Sequence, residues 1–326
     1  MARNLHYDQV RAPRPFSCES ETAMTLHSAG IHHVTAIAGN AAANRRFYTD
    51  VLGLRFVKRT VNFDDPGTWH LYYGDELGRP GTLMTFFPWG NGAGARRGTR
   101  GVMQVAFAVP EEALGYWRQR LTSSGLEVEE AEGGRALRFA DPDGIGLALT
   151  AASPPDSEPW AGGPVPPEHT IRAFHSVTFS VREPDRTREL MQDIFGYTPA
   201  EGDPALLIPS GNAGGGAVRV VEDAGTRSSW GAGVVHHVAF RCAGSAEQEQ
   251  IQQALMDRGL RVTPIVDRRY FKSIYFTEPG SILLEVATDQ PGMAIDEPRE
   301  ALGERLVLPT WLEPQRATIE AQLPPL

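Results

Sequence analysis

Four short runs of β-forming residues recur along the chain, each followed by a polar stretch with apolar residues three or four apart and then by a glycine. The runs are Gly-Ile-His-His-Val-Thr-Ala-Ile at 30–37, Val102-Met-Gln-Val-Ala-Phe107, Phe174-His-Ser-Val-Thr-Phe179 and Gly-Val-Val-His-His-Val-Ala-Phe at 233–240. Laid over one another, they put positions 33, 104, 176 and 237 in register. The apolar spacing of Phe47, Val51 and Leu54, of Leu114, Trp117 and Leu121, of Leu190 and Ile194, and of Ile251, Leu255 and Met256 predicts a helix after each run. Gly53, Gly125, Gly196 and Gly259 follow the four anchors by 20, 21, 20 and 22 residues, where a left-handed helix cap is wanted.

Strand-like sequence resumes after each cap, at 55–61, 70–73 and 83–87 in the first unit and at 273–276 and 282–286 in the fourth. A turn signal precedes the last strand in three units: Arg79-Pro-Gly-Thr82, Asp141-Pro-Asp-Gly144 and Glu278-Pro-Gly-Ser281. Each unit therefore reads as β-α-β-β-β, although Gly214-Gly215-Gly216 blurs the register of the third. The fold class expected is α+β, with four βαβββ modules in two pseudo-repeat domains.

The Pro- and Gly-rich stretch that opens at Ser153 and runs to Pro167 holds neither a helix nor a sheet ladder, and separates the modules two by two. The organisation read from this is a polar N-terminal arm over 1–28, a first domain over 29–152, a linker over 153–170, a second domain over 171–290, and a tail over 291–326 with a short helix-like segment at 313–323.

Composition narrows the function classes. In 326 residues, 41% hydrophobic and 22% charged content is that of a soluble globular protein. A formal charge of −9 speaks against nucleic acid or an anionic membrane as the main partner, since both require clustered Lys and Arg. Cys18 and Cys242 have no zinc-type or redox spacing, which fits a reducing cytoplasm. No apolar run approaches the roughly 20 residues of a spanning helix.

The repeat then singles out chemistry. Its anchor positions carry His33, Gln104, Ser176 and His237, so a strong ligand type occurs only in the first and last modules. Four residues beyond the turn signal stand Phe86, Ala148 and Glu285. A carboxylate within Ile-Leu-Leu-Glu-Val-Ala is costly unless it is paired or bound to a metal. Taken singly, each residue has a plainer reading, a satisfied core histidine or a glutamate paired with Arg268 or Arg269. Together at matched positions, two histidines and a carboxylate form the set associated with non-haem Fe(II), which leaves coordination positions open. Strand alternation sets His32 and His236 on the opposite face from their neighbours unless the strands are bulged. His70 reads as a strand histidine rather than a ligand, and His175 lies one place off its anchor.

The module pattern, the Asp-Pro-Asp-Gly turn and the His/His/Glu set resemble the vicinal oxygen chelate (glyoxalase/extradiol dioxygenase) superfamily. More narrowly, His32-His33-Val-Thr-Ala, Phe56-Val-Lys-Arg-Thr60, the run from His70 to Thr82, His236-His237 and Arg269-Tyr-Phe-Lys-Ser-Ile-Tyr275 are similar to the hydroquinone ring-cleaving dioxygenases, over about residues 29 to 290. The resemblance implies Fe(II) held by His33, His237 and Glu285, with Mn, Zn or Ni possible in a purified sample. It also implies that modules one and four share the metal-bearing sheet, and that His32, His236, Arg268 and Tyr275 line the substrate pocket.

The activity so implied is cleavage of a hydroquinone-type or catechol-type ring with O2, the partners being a small aromatic substrate and a possible second copy of the chain. Trp69, Phe86 and Phe271 are candidates for the pocket wall or for ordinary core. Two other readings compete: a glyoxalase-like metal-dependent isomerase or lyase, disfavoured by Phe86 where a second carboxylate would sit, and a non-catalytic protein that sequesters a small aromatic ligand.

Overall fold

The computed structural model describes residues 28–90, 95–153, 159–211 and 215–326. The N-terminal arm, Cys18 and part of the Pro-rich linker lie outside them. The chain builds two eight-stranded sheets, and every module contributes four strands. In the first module β1 (Ile31–Ala38) leads through a short helix α1 (Ala41–Arg46) and a π-helical turn over Phe47–Val51 to β2 (Arg55–Asn62), β3 (Asp65–Gly74) and β4 (Leu83–Pro88). The second comprises β5 (Gly101–Val109), α2 (Leu114–Ser123), β6 (Glu129–Ala131), β7 (Ala136–Ala140) and β8 (Gly146–Ala151). The third is β9 (Ala173–Val181), α3 (Pro184–Phe195), β10 (Tyr197–Ala200), β11 (Asp203–Pro209) and β12 (Ala217–Glu222). The fourth is β13 (Val234–Cys242), α4 (Ser245–Asp257), β14 (Val266–Asp267), β15 (Lys272–Thr277) and β16 (Leu283–Thr288).

Gly53, Gly125, Gly196 and Gly259 all take the left-handed conformation expected of them, with φ of 68°, 80°, 67° and 78°. At these points the chain turns from helix back into sheet, and a side chain there would be strained. The helices lie on the outer faces, where Trp117, Leu121, Leu190, Ile194, Ile251 and Leu255 are buried in the main apolar core.

One sheet has the order β14-β15-β16-β13-β1-β4-β3-β2 and the other β10-β11-β12-β9-β5-β8-β7-β6. Each sheet thus joins one module from either side of the linker, the first with the fourth and the second with the third. The seam of the first sheet is the antiparallel pair β1 and β13, centred on Val34 opposite Val238. His33 faces Ala239 across it and His237 faces Thr35, so the two modules are related by an approximate two-fold axis through the seam.

The tail returns over the first module. Met293 and Leu302 join Val57, Tyr72, Leu83, Tyr270 and Phe271 in a second, smaller apolar cluster, while Leu306, Leu308, Leu312 and Ile319 of helix α5 (Arg316–Gln322) join the main core. The Trp69 indole N–H donates to the Pro324 carbonyl at 2.8 Å, fixing the last turn against β3. Lys58, fully buried on β2, holds the tail through Asp296 at 2.7 Å and Glu297 at 2.5 Å. Asp296 also takes Arg269, from the loop before β15, at 2.6 Å. Arg268 reaches Asp64 at the β2–β3 turn at 2.9 Å. These pairs connect the two ends of the curled sheet, the first and last regions of its eight-strand hydrogen-bonding order. No helix among the described residues is long and apolar enough to cross a membrane.

Candidate metal centre

The paired histidines are brought to one place by bulges. The register of β1 against β13 slips between Ile31 and His33 and again opposite His237, so His32 and His236 are the extra residues. A bulge sets two successive side chains toward the same face, which removes the conflict with strand alternation. The same slip recurs at Met103 and His175 in the other sheet. His175 therefore occupies the position of His236, and its Nδ1 lies 3.0 Å from the Ser176 hydroxyl at the anchor.

His33, His237 and Glu285 converge, all buried. Glu285 enters from β16, which pairs in parallel with β13 and places the glutamate beside Ala239. The Nε2 atoms of His33 and His237 are 3.2 Å apart. Glu285 Oε2 lies 3.3 Å from the first and 2.9 Å from the second. The other carboxylate oxygen accepts a short hydrogen bond from the Ser273 hydroxyl on β15.

The tautomers follow from the hydrogen bonds. His32 Nδ1 is 2.9 Å from His33 Nδ1, and His236 Nδ1 is 2.8 Å from His237 Nδ1. Burial, reinforced by His33, holds His32 well below the ordinary imidazole range, so it is neutral with a single N–H. With that N–H turned toward the Thr288 backbone carbonyl, the His32 Nδ1 accepts from the Nδ1 of His33, and the His33 Nε2 faces the centre. His236 is pushed down to about 3, chiefly by burial and then by His237. His237 is also lowered by burial, with Glu285 pulling part of the way back. Burial opposes the charge on Glu285, but His33 and His237 outweigh it and hold the carboxyl well below its usual range.

Glu285 Oε2 is buried and accepts no hydrogen bond. An ionised oxygen and two imidazole nitrogens crowded within 3.3 Å require a cation between them, a proton or a metal ion. Donor atoms adjacent on a six-coordinate ion with bonds of about 2.1 Å stand about 3 Å apart, the spacing found for these three. The residues present therefore fit a divalent metal.

Around the three donors, Phe271 packs its ring 5.0 Å from those of both His32 and His33. Trp230 lies on His236 at 4.7 Å. The Tyr275 ring stands 5.8 Å from that of His237, and its hydroxyl accepts from Arg268 Nε at 3.1 Å. The sequence-derived set of His32, His236, Arg268 and Tyr275 thus gathers around the centre, with Phe271. Trp69 and Phe86 do not, since both belong to the main core and Phe86 packs against Tyr48 and Tyr73.

One sequence expectation is corrected. The counterpart of Glu285 in the first module is Thr85, paired with Thr35 just as Glu285 pairs with Ala239. Counting from the turn pointed to Phe86 because the first-module connection is one residue shorter. Sequence reasoning read His70 as a strand histidine, which it is, and did not single out Tyr72. Their period-two spacing on a strand, polar and aromatic together on one buried face, was the signal available.

The comparisons agree with this geometry. The chain is 42% identical over 309 residues to a Bacillus subtilis protein provisionally named ring-cleaving dioxygenase MhqO, covering 93% of this chain and 98% of that one. It is 32% identical over 300 residues to the chlorohydroquinone/hydroquinone 1,2-dioxygenase of Sphingobium indicum, covering 87% and 92%. Among solved structures, a protein from Bacillus subtilis provisionally named a dioxygenase superposes with a TM-score of 0.86 at 40% identity, over 92% of this chain and 98% of that chain. Glyoxalase I from Zea mays shares the fold at a TM-score of 0.58 and 13% identity, over 80% and 92%. The family model for the Glyoxalase/Bleomycin resistance protein/Dioxygenase superfamily matches residues 30–149 and 173–286. With its paired βαβββ modules and the site astride their seam, the chain belongs to that superfamily and has the vicinal oxygen chelate fold.

Proposed function

We propose that this protein is a ring-cleaving dioxygenase that opens hydroquinone-type rings with O2 at an Fe(II) ion held by His33, His237 and Glu285. One observation carries the reading: three donors 2.9–3.3 Å apart, with a threonine at the symmetry-related corner in place of a second carboxylate. A set limited to two histidines and one carboxylate leaves adjacent coordination positions for a substrate oxygen and for O2. When bound, iron supplies the redox chemistry that lets O2 react with the ring.

The chain's own groups then have definite tasks. His32 and His236 orient the two ligand imidazoles through their Nδ1 atoms. His236, neutral and stacked on Trp230, moves a proton at its remaining nitrogen. Arg268, set against the face of Tyr275 at 5.2 Å, places a fixed positive charge where the oxygenated ring becomes anionic. Phe271 keeps water from the back of the site. The names of the relatives, ring-cleaving and hydroquinone dioxygenases, support the substrate class. The likeness to glyoxalase I is one of fold, and Thr85 does not supply the second carboxylate an isomerase site of that type would use.

The test is oxygen consumption. Protein purified without air and loaded with Fe(II) is expected to take up O2 with a member of a panel of substituted hydroquinones and catechols. Turnover of a hemithioacetal with Ni or Zn, and none of any ring, would overturn the assignment. Binding of the aromatics without turnover would mark a sequestering protein instead.

A further inference from the structure

The corner opposite Glu285 is not empty of polar groups. Thr85 Oγ1 lies 2.8 Å from Thr35 Oγ1 and 3.0 Å from His70 Nε2. The other nitrogen of His70, Nδ1, is 3.0 Å from the Tyr72 hydroxyl. Thr35 and Thr85 are fully buried and Tyr72 is 2% exposed, with His70 between them half-buried. The line of four groups runs from β3 across β4 to β1, where Thr35 stands opposite the ligand His237.

Counting protons shows what the line has to spare. Burial keeps His70 neutral, with the neighbouring His33 and His237 adding to the effect, so it has one N–H. Tyr72 stays protonated because burial pushes its phenol up, helped by Tyr275 and Glu285 nearby. Tyr72, His70, Thr85 and Thr35 thus offer four hydrogens to three contacts. One O–H is left over, on Thr35 or Thr85 when the His70 hydrogen sits on Nε2 and on Tyr72 when it sits on Nδ1. Thr35 stands beside the site, two residues from His33 on β1 and opposite His237 across the seam, and Tyr72 shares an apolar cluster with Phe271, which packs on His33.

We propose that Tyr72, His70, Thr85 and Thr35 form a substrate-positioning wall, with His70 as the positioning residue that aims the spare hydroxyl at an oxygen of the bound aromatic diol. The inference rests on the ring-cleaving function above. His70 is no metal ligand in this scheme and touches the substrate only through the hydroxyls it orders. A carboxylate at position 85 would take that hydrogen for itself; threonine passes it on.

The experiment compares the wild-type protein with H70L, H70Q and Y72F, each reconstituted with Fe(II). Metal content, thermal midpoint, anaerobic binding of unsubstituted hydroquinone by calorimetry, and kcat and KM for oxygen uptake are measured. H70L is expected to keep its metal and to bind hydroquinone about tenfold more weakly, the effect of one positioned hydrogen bond of about 1.4 kcal/mol. Its KM should rise more than its kcat falls. Y72F, which keeps the ring and loses only the hydroxyl, should move the same way by a smaller factor, and H70Q, which can both donate and accept, should recover part of the loss. Unchanged hydroquinone binding in H70L and Y72F beside an active wild type overturns the inference alone, and so does loss of metal in H70L. A wild-type protein that neither binds nor oxidises any hydroquinone overturns the function and this inference with it.

Discussion

His236 and His237 meet through their Nδ1 atoms at 2.8 Å, and His32 and His33 repeat the contact at 2.9 Å in the module related by the seam. Each ligand imidazole is therefore aimed by the residue before it, an arrangement made possible by a bulge in each strand.

Replacing His32 or His236 by phenylalanine keeps the ring volume and removes the orienting nitrogen. Metal affinity is expected to fall ten- to a hundredfold in either variant, in line with the loss of an outer partner of a metal ligand. Competition against a chelator of known affinity measures it; affinity equal to the wild type would mean that the two contacts do not set the ligand orientation.

Glu285→Gln removes the charge while retaining the shape. The variant is expected to hold less than about a tenth of the iron of the wild type after dialysis, because a neutral amide neither balances the ion nor matches a carboxylate as a donor. Full occupancy in E285Q would show that the three residues are not the ligand set. In the wild type, removal of the metal should lower the thermal midpoint, since an ion that binds only the folded chain stabilises it by mass action.

Lys58 gives a test of how the tail is held. Its ammonium is buried between Asp296 and Glu297. Lys58→Met strands the carboxylate of Glu297, which is 2% exposed, and leaves Asp296 only Arg269; it is expected to cost about 3–5 kcal/mol in urea unfolding. Adding Asp296→Asn and Glu297→Gln to that variant should return part of the loss. A single K58M as stable as the wild type would mean that the cluster does not fasten the tail.

Asp141 supplies a pH dependence away from the metal. Burial raises it to about 6, against the bonds it accepts from Ile145, Asp143 and Tyr48. A carboxyl raised in the folded state contributes most when protonated, below its unfolded value near 4, and that contribution is lost as pH rises through about 6. Asp141→Asn does not titrate. The stability of D141N relative to wild type should therefore shift in its favour by about 1–3 kcal/mol between pH 4 and pH 8, as read from denaturation midpoints at each pH. A gap independent of pH would place the Asp141 titration elsewhere.

Much of this arrangement could be read from the chain because the modules are an internal alignment. The period-two runs, the glycine caps at near-constant spacing and the survival of histidine at two anchors of four point to the fold and to His33, His237 and Glu285 without any external comparison. What the sequence hid was register. A bulge adds one residue without altering the hydrophobic pattern, so His32 and His236 looked as though they faced away. The same uncertainty of one residue exchanged Phe86 for Thr85. His70 and Tyr72 were obscured for another reason: aromatic and histidine residues fit a buried strand as readily as they fit a pocket.

The cross-seam register, His33 opposite Ala239 and His237 opposite Thr35, has a consequence for biosynthesis. The two histidine donors are 204 residues apart in the chain, so at synthesis rates of about 5–20 residues per second the first waits on the order of 10–40 s for the second. During that interval β1 has a partner in β4 but an open edge toward the missing β13, and His33 has no companion donors. The candidate metal centre is thereby incomplete until the last module has left the ribosome, and a truncated chain that stops at the linker lacks two of its three donors, His237 and Glu285.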